Sequence, residues 1–331
     1  MEFLLKYDKT NTDSIKNIRN ITIYHPQNID RRAFNFLFAS FKKNNLNYQL
    51  KLLAKEKKYY SNFGAHRFII IEYNNKKLYI EVFDRVFEFC EYGAKTCDYY
   101  LKANMPYIDD FKSIIQNADD KTHNRYNSYV HFYETYSYKM KTFHLTRNEL
   151  TNKPNNYKKK YIIASYSAGC GDGAMFGLNR IKIYKIIKEI LGDKFLLLKH
   201  DTCKARKMPS NSKSLSYPSY LECIGSGYFI LNLSGKGFGT SYRFNDACLS
   251  GSAVISDKVN TITFQDFPRL DFPWKIHENI IDEETTKLKL QELLINYKET
   301  YNRLIEEQKQ WYNDNLNINT YCFPFLKLLN P

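Results

Sequence analysis

The second half of the chain alternates apolar strands with amphipathic helices, and this pattern limits the possible folds more than any other feature. Short apolar runs predict strands at residues 161–166, 194–198, 228–233 and 253–256. Apolar residues at helical spacing predict helices in the intervals, at residues 179–191, 218–224 and 242–250. Strands that alternate with helices are typical of a parallel sheet with helices on both faces. We therefore expect an α/β domain in this half.

The first half is predicted to mix strands and helices. A strand at residues 21–25 precedes a helix that begins at Arg31, with Asp30 as its N-cap. Residues 68–73 and 78–83 flank a polar Asn-Asn-Lys-Lys turn, which predicts a hairpin. Two further strands are predicted at residues 48–53 and 97–103, and residues 106–150 are expected to form helix and loop.

A polar segment at residues 151–160, which contains Pro154, separates the two patterned halves. With 331 residues the chain is long enough for two domains. We therefore expect domains at residues 1–155 and 156–331. The second is predicted to end in one long amphipathic helix at residues 283–312.

The chain is basic, with 49 Lys and Arg against 35 Asp and Glu and a formal net charge of +14. Such a balance favours polyanionic partners, which include nucleic acid, an anionic membrane surface and phosphorylated substrates. The basic residues are spread along the whole chain, however, as is typical of solvated lysine faces. The sequence shows no nucleic-acid recognition motif, so we expect no specific nucleic-acid partner.

The seven cysteines are odd in number and contain no Cys-x-x-Cys pair, which argues against a disulfide framework and a zinc site. This usage fits a reducing compartment. No apolar run approaches the ~20 residues that span a bilayer. Residues 1–10 lack the apolar stretch of a signal peptide. We therefore expect a cytoplasmic protein that is soluble or peripherally associated with an anionic membrane.

A glycine-rich turn after the third predicted strand of the second half gives the clearest functional signal. Gly235, Gly237 and Gly239 follow this strand, and Thr240 or Ser241 then caps a helix. The first amides of a helix have no partner within it, and glycines let an anion approach the backbone. The turn therefore predicts an anion site of phosphate size.

The helix after this turn carries side chains that match a nucleotide. Arg243 and Asp246 fall on one face, which we expect to be exposed, opposite an apolar face around Phe244. A guanidinium fork suits a diphosphate, and a carboxylate one turn later suits a ribose diol. The glycine spacing is neither that of a Walker P-loop nor that of the usual dinucleotide fingerprint. A plain strand-turn-helix with a polar face is the alternative.

Residues 220–257 resemble the donor-binding region of GT-B glycosyltransferases of the exostosin and CAP10-like kind. Ser241-Tyr-Arg243, Asp246, Gly251 and the apolar strand that leads to Asp257 match in order and spacing. In these families the acid is more often Glu, which is one methylene longer than Asp246. A looser match covers residues 158–290. The resemblance implies an α/β fold of the GT-B type, in which two Rossmann-like domains face each other across a cleft.

The same resemblance implies a glycosyltransferase that moves a hexose or pentose from a nucleotide-sugar donor to a hydroxyl of a glycan, lipid-linked or protein acceptor. Residues 1–155 are then expected to bind the acceptor and residues 156–331 the donor. A second glycine-rich loop, at 169–173, is of the kind that faces the donor phosphates in GT-B enzymes. The expected donor contacts are Gly169, Gly171, Gly173, Arg180, His200, Gly237, Gly239, Thr240, Ser241, Arg243 and Asp246.

Two of these donor contacts have ordinary alternatives. Arg180 lies early on the helix after the second loop, where an exposed arginine in a plain connection is equally expected. His200 ends a predicted strand, where ligands of open α/β sheets bind near a nucleotide base or sugar. A solvent-exposed histidine in a capped loop is the alternative for His200.

Catalysis is expected to depend on Arg243, which would stabilise the departing diphosphate together with the helix amides. An inverting enzyme also needs a base for the acceptor hydroxyl, and His25, Asp30 and Asp98 are the candidates. No Asp-x-Asp triplet occurs in the sequence, which favours arginine and helix dipole in place of a metal ion. We therefore expect metal-independent transfer, with no cofactor besides the nucleotide-sugar co-substrate.

Two other functions fit parts of the sequence. A basic nucleic-acid-binding α/β protein would account for the charge and the scattered tyrosines. A non-catalytic relative would bind a nucleotide without transferring a sugar.

Overall fold

The computed structural model describes residues 18, 20–29, 31–54, 56–64, 66–83, 85–116, 120–144, 146, 160–167, 174–200, 216–234, 243–259 and 261–330. The chain divides into two compact units. Unit 1 comprises Met1–Glu149, Asn260–Gln265 and Asn313–Pro331, and unit 2 comprises Leu150–Val259 and Asp266–Tyr312. The predicted division at 155/156 falls outside the described residues.

The described residues form the following strands and α-helices. The strands are β1 (Ile21–His25), β2 (Tyr48–Leu52), β3 (Phe68–Tyr73), β4 (Lys76–Glu81), β5 (Tyr99–Lys102), β6 (Met140–Thr142), β7 (Lys160–Ser167), β8 (Phe195–His200), β9 (Gly227–Asn232), β10 (Ala253–Ser256) and β11 (Leu270–Asp271). The α-helices are α1 (Arg31–Lys43), α2 (Glu91–Thr96), α3 (Ile108–Ile114), α4 (Asp120–Tyr136), α5 (Ala174–Leu191), α6 (Tyr217–Gly225), α7 (Arg243–Ser250), α8 (Glu283–Ile295), α9 (Tyr297–Asn315) and α10 (Phe323–Leu329).

Unit 1 contains a six-stranded sheet in the order β2-β1-β3-β4-β5-β6. Strand β3 is antiparallel to both of its neighbours, and the other pairs are parallel. The five parallel strands therefore end at one edge of the sheet, which we call the unit 1 carboxyl edge. The predicted hairpin is confirmed as β3 and β4, joined at Asn74 and Asn75. Both asparagines have positive φ, 49° and 60°, as a type I′ turn requires.

Apolar layers cover both faces of the unit 1 sheet. Phe34 and Phe41 of α1 are fully buried, as their helical spacing predicts. Across the strands, the Tyr79 ring stacks between Phe68 and Tyr100, with ring centroids 5.2 and 5.1 Å apart. Phe132 of α4 meets Tyr100 edge to face at 5.4 Å, so the helix packs on this aromatic row.

Unit 2 contains a five-stranded sheet in the order β11-β10-β9-β7-β8, in which every pair is parallel. The first strand of the unit, β7, lies between the second and third strands, β8 and β9. The order therefore reverses between β7 and β9, which is the topological switch point of a doubly wound sheet. The predicted α/β class with a parallel sheet in the second half is confirmed, and all strand ends lie at one edge, the unit 2 carboxyl edge.

Close packing fixes one glycine of this sheet. A Cβ atom at Gly227, the first residue of β9, would lie 2.8 Å from Cγ1 of Ile163 on β7. That separation is shorter than real Cβ contacts, so any larger residue at this position would displace the Ile163 side chain. Ile183 and Ile187 of α5 are fully buried in a hydrophobic cluster with Ile162 of β7.

The C-terminal region differs from the expectation. The predicted long helix is broken into α8 and α9 at Asn296, whose φ and ψ of −110° and 20° are not helical. The break places Tyr297 against Tyr161 and Tyr228, at centroid distances of 4.8 and 5.0 Å. From Asn313, in the last turn of α9, the chain belongs to unit 1 again, where Tyr321 packs on Phe36 at 4.9 Å. Long-range aromatic packing of this kind is not encoded in helical periodicity.

No helix in the part of the chain that the structure describes is both long and apolar enough to cross a membrane.

Candidate functional site

The switch point of unit 2 defines the candidate site. In open α/β sheets, ligands bind outside the carboxyl ends of the strands where the strand order reverses. Strand β7 ends at Ser167 and α5 begins at Ala174, while β9 ends at Asn232 and α7 begins at Arg243. Both predicted glycine-rich loops therefore leave from the two strands that flank the switch point. Their predicted donor contacts lie outside the described residues: Gly169, Gly171, Gly173, Gly237, Gly239, Thr240 and Ser241.

The backbone of Ser234 is held from two sides just after β9. Its N–H donates to Oδ1 of Asp257 at 2.8 Å. Its carbonyl accepts from Nη2 of Arg180, which also donates to the carbonyl of Leu233 at 3.3 Å. Asp257 directly follows β10, and Arg180 lies on α5. Three separate segments thus fix the peptide from which the second glycine-rich loop departs, and we call Arg180, Ser234 and Asp257 the Ser234 clamp.

Asp257 combines burial with charge. Its side chain is 2% exposed, and burial raises the pKa of its carboxyl from 3.8 to about 6. The hydrogen bonds from Ser234 and the charge of Arg180 act in the opposite direction and limit this rise. In the sequence Asp257 was only the polar end of an apolar strand. A carboxylate directly after a buried parallel strand was the signal for its place at the carboxyl edge.

The first turn of α7 carries Arg243 and Asp246, and the structure changes the expectation for Asp246. Arg243 is half-buried, whereas Asp246 is only 5% exposed. The hydroxyl of Tyr217, at the start of α6, donates to Oδ1 of Asp246 at 2.6 Å. The prediction that the Asp246 side chain is exposed on α7 is therefore wrong, because α6 packs against α7 and covers the carboxylate. The roles of Arg243 and Asp246 toward a donor stay predictions.

Two further residues lie at the unit 2 carboxyl edge. His200 ends β8, where its backbone pairs with Ser167 of β7, and its side chain lies outside the described residues. Asn232 ends β9 and is buried, and its Oδ1 has no hydrogen-bond partner among the described residues. A buried amide oxygen of this kind needs a hydrogen-bond donor. The position of His200 is as predicted, and its contact with a base or sugar stays a prediction.

The predicted bases of unit 1 lie at different edges of its sheet. His25 ends β1 at the carboxyl edge, and its Nδ1 bonds to the carbonyl of Pro26 at 2.9 Å. Because a carbonyl only accepts, Nδ1 carries the proton, which in the neutral imidazole leaves the lone pair on Nε2. Asp98 precedes β5 at the opposite edge, where Oδ2 accepts from the N–H of Lys77 at 2.7 Å. Asp30 lies outside the described residues.

A buried ion pair, which the sequence analysis did not identify, lies at the unit 1 carboxyl edge. Glu81 and Lys102 are paired across β4 and β5, with Nζ 2.5 Å from Oε1, and both side chains are 0% exposed. Lys102 also donates to the carbonyl of Glu88, and the hydroxyl of Tyr100 donates to Glu81. Burial raises the pKa of the Glu81 carboxyl from 4.5 to about 7. Because the pair is inaccessible, it anchors the segment after β4 and does not contact a ligand directly.

The described residues contain no cluster of three or more His, Cys, Asp or Glu side chains that could hold a metal ion. Two positive groups near the unit 2 carboxyl edge are Arg180, which binds backbone carbonyls, and Arg243, at the start of α7. Both are arginines, which suit anionic ligands.

No family model and no curated protein sequence matches the chain. Among solved structures, it is similar to an α1,3-fucosyltransferase, with 11% identity, coverage of 100% of this chain and 95% of that chain, and a TM-score of 0.45. It is also similar to S. aureus MnaA solved with UDP, with 12% identity, coverage of 95% and 98%, and a TM-score of 0.42. It is similar to the GtfA/B complex as well, with 12% identity, coverage of 89% of this chain and 54% of that chain, and a TM-score of 0.43.

At these identities and TM-scores the similarities say nothing about the chemistry of this chain. Its own fold defines an α/β protein with two sheets, and the switch point of the unit 2 sheet is a candidate ligand site.

Proposed function

We propose that this chain is a glycosyltransferase of the GT-B type, in which unit 2 binds a nucleotide-sugar and unit 1 binds the acceptor. The observation that carries the proposal is the site at the switch point of unit 2. There, two glycine-rich connections leave adjacent parallel strands, and Arg243 begins the helix after the second connection. A diphosphate fits this arrangement, because backbone amides and a guanidinium supply the donors that it requires.

The Ser234 clamp supports the binding role. Phosphate recognition by backbone amides requires a loop of fixed geometry, because each amide must point at an oxygen. Asp257 and Arg180 hold the N–H and the carbonyl of the residue that precedes the glycine-rich segment. Ordinary strand-to-helix connections need no buried carboxylate for this purpose. The clamp therefore fits a loop that binds an anion.

The proposed reaction is a displacement at the anomeric carbon of the donor sugar. The acceptor oxygen forms a bond to this carbon, and the bond between the carbon and the diphosphate oxygen breaks. The electron pair leaves with the nucleoside diphosphate, whose charge Arg243 and the first amides of α7 stabilise. The hydroxyl proton passes to a base, for which we propose Nε2 of His25. We propose that the transfer needs no metal ion, and retained turnover in excess EDTA is the expected outcome.

Nucleotide binding tests the first half of the proposal. The full chain is screened by thermal shift against UDP, GDP, CDP, CMP and their sugar conjugates, because a ligand that binds only the folded state raises Tm. We expect one base to give a clear rise, with the sugar conjugate at least as effective as the nucleotide. If none of these ligands raises Tm, the donor site does not exist.

Turnover of the donor that the screen identifies tests the second half. Arg243→Ala is expected to lower turnover on the order of 100-fold, because the loss of a single oxyanion donor has an effect of this size in other enzymes. The matched control is Arg303→Ala, because Arg303 lies on the exposed side of α9 and pairs only with Glu307 among the described residues. Near-wild-type turnover in Arg243→Ala would refute the proposed role. Nucleotide binding without turnover in the wild type would identify a non-catalytic relative instead.

A further inference from the structure

Three separate segments bring side chains together at the unit 1 carboxyl edge. Because β3 is antiparallel, its first residue, Phe68, pairs with Glu81, the last residue of β4. The segment before β3 therefore lies at the same edge as the segment after β4. Phe63 belongs to the first segment and Arg85 to the second, and Arg125 lies near the start of α4. Ligands of α/β sheets bind at this edge.

The two arginines converge on one aromatic ring. The guanidinium carbon of Arg125 lies 4.5 Å from the centroid of the Phe63 ring, and that of Arg85 lies 5.6 Å away. All three side chains are half-exposed. A guanidinium that lies over an aromatic ring is held by cation–π attraction while its N–H groups stay available at the edge. We call Phe63, Arg85 and Arg125 the arginine pair site.

The charges at this site are poorly neutralised within the protein. Arg125 makes no hydrogen bond or ion pair with any residue that the structure describes, and Arg85 reaches only Glu88, at 3.8 Å. By contrast, Arg269 binds Asp271 at 2.6 Å, and Arg303 binds Glu307 at 3.1 Å. Two guanidiniums that lie on one ring, with no closer carboxylate among the residues that the structure describes, attract an anion.

The elements that carry the two arginines are packed together. Phe87, two residues after Arg85, meets the ring of Tyr126 edge to face at 5.6 Å, and Tyr126 is the neighbour of Arg125 on α4. Lys102 donates a hydrogen bond to the carbonyl of Glu88, and its own position is fixed by its buried ion pair with Glu81. The relative positions of Arg85 and Arg125 are therefore fixed by the core, as anion recognition requires.

We propose that the arginine pair site binds an acid group of the acceptor, so that the acceptor is a saccharide that carries a carboxylate or a phosphate. This inference rests on the proposed function, because it assigns the acceptor side to unit 1. The anion binds the outward N–H groups of Arg85 and Arg125, and Phe63 keeps both guanidiniums in place. The reacting hydroxyl then lies on the neutral part of the saccharide.

Binding of small acids to the full chain tests the site without knowledge of the donor. The probes are glucuronic acid and glucose 6-phosphate, with glucose as the neutral reference and inorganic phosphate as the free anion. NMR or calorimetric titrations are expected to show binding of both acidic sugars, and weaker binding of inorganic phosphate. Glucose that binds as well as its acidic derivatives would overturn the proposal.

Variants locate the binding. Arg125→Gln and Arg85→Gln are each expected to weaken binding of the acidic sugars about tenfold or more, the usual loss for a charged hydrogen bond. Arg125→Lys should restore part of the affinity, because charge remains while the planar fork is lost. Arg303→Gln is the matched control. Unchanged affinity in Arg125→Gln and Arg85→Gln, at unchanged Tm, would overturn the proposal.

Two further measurements separate this inference from its alternatives. The thermal shift of Arg125→Gln by the nucleotide should equal that of the wild type, because the donor site lies in unit 2. A loss of acid binding with an intact nucleotide shift supports the proposal, whereas an absent shift in the wild type contradicts only the donor site. Vesicles of phosphatidylglycerol are tested in parallel. If both glutamine variants lose vesicle binding while neither acidic sugar binds the wild type, the site is a membrane contact and the proposal fails.

Discussion

Asp257 accepts a hydrogen bond from the backbone N–H of Ser234 at 2.8 Å, although 23 positions separate the two residues. The carboxylate follows β10 and the peptide follows β9, so the bond links the ends of two adjacent parallel strands. Asp257 is buried, and its pKa is raised to about 6. The link is therefore sensitive to pH near neutrality.

The first prediction concerns stability against pH. Because the folded-state pKa of Asp257 lies above the unfolded value of 3.8, protonation favours the folded state. Its contribution to the unfolding free energy is complete below pH 3.8 and disappears as the pH rises through about 6. The full difference is about 3 kcal/mol, from about 1.4 kcal/mol per pKa unit. Asp257→Asn should remove this dependence, as measured by urea unfolding over about 4 pH units, from about pH 4 to about pH 8.

The comparison of wild type and variant isolates Asp257, because Glu81, whose pKa is raised to about 7, titrates alike in both proteins. Asp282→Asn is a control of opposite sign. Hydrogen bonds from Thr285 lower the pKa of Asp282, so its contribution is present at neutral pH and is lost on acidification. An Asp257→Asn variant with the pH profile of the wild type would show that this carboxyl does not titrate in the range.

The second prediction concerns Arg180 as a positioning residue. Arg180→Lys keeps the charge but removes the planar fork that reaches Leu233 and Ser234. We expect the Kd of the nucleotide to rise about tenfold, in proportion to a lost charged hydrogen bond. Isothermal titration at fixed pH measures this change, and Tm is recorded for each variant.

Lys182→Ala on the same helix is the control, because Lys182 makes one weak hydrogen bond, to the carbonyl of Ile281 at 3.5 Å, and does not contact the Ser234 clamp. It should leave the Kd unchanged. If Arg180→Lys lowers Tm without any effect on the Kd, Arg180 has a purely structural role.

The third prediction concerns the buried pair of Glu81 and Lys102. Glu81→Gln leaves an ammonium without its counter-charge in the core, which should reduce the unfolding free energy by about 3–5 kcal/mol. Lys102→Met is expected to reduce the unfolding free energy by less, because the pKa of Glu81 is already raised and its carboxyl takes up a proton when Lys102 is removed. The double variant should be more stable than the sum of the single effects predicts. Chemical denaturation of the four proteins measures the coupling, and strictly additive effects would show that the pair does not interact.

The fourth prediction separates the candidate bases. His25→Asn keeps a donor near the position of Nδ1 but removes Nε2, so transfer should fall on the order of 100-fold. Asp98→Asn should remain near the wild-type rate, because Asp98 caps the N–H of Lys77 at the other edge of the sheet. Initial rates at saturating donor make the comparison. A larger loss in Asp98→Asn than in His25→Asn would reverse the assignment.

Periodicity in the sequence located the strands of unit 2 from β7 to β10 and the hairpin of unit 1, but not every element. Apolar runs located β7 to β10, and the Asn-Asn turn located the hairpin of β3 and β4, because these signals are local. The same signals placed two glycine-rich connections after β7 and β9. Hydrophobic spacing did not reveal the break at Asn296, which depends on where Tyr297 packs.

Only the tertiary structure decided which polar groups meet. Arg180, Ser234 and Asp257 are distant in sequence, and they come together because the strand order places β9 beside both β7 and β10. The register of β4 and β5 sets Glu81 opposite Lys102, and strand direction puts His25 and Asp98 at opposite edges. Sheet order and register arise from long-range packing, so the sequence by itself determined the elements and their chemistry, while the fold determined their partners.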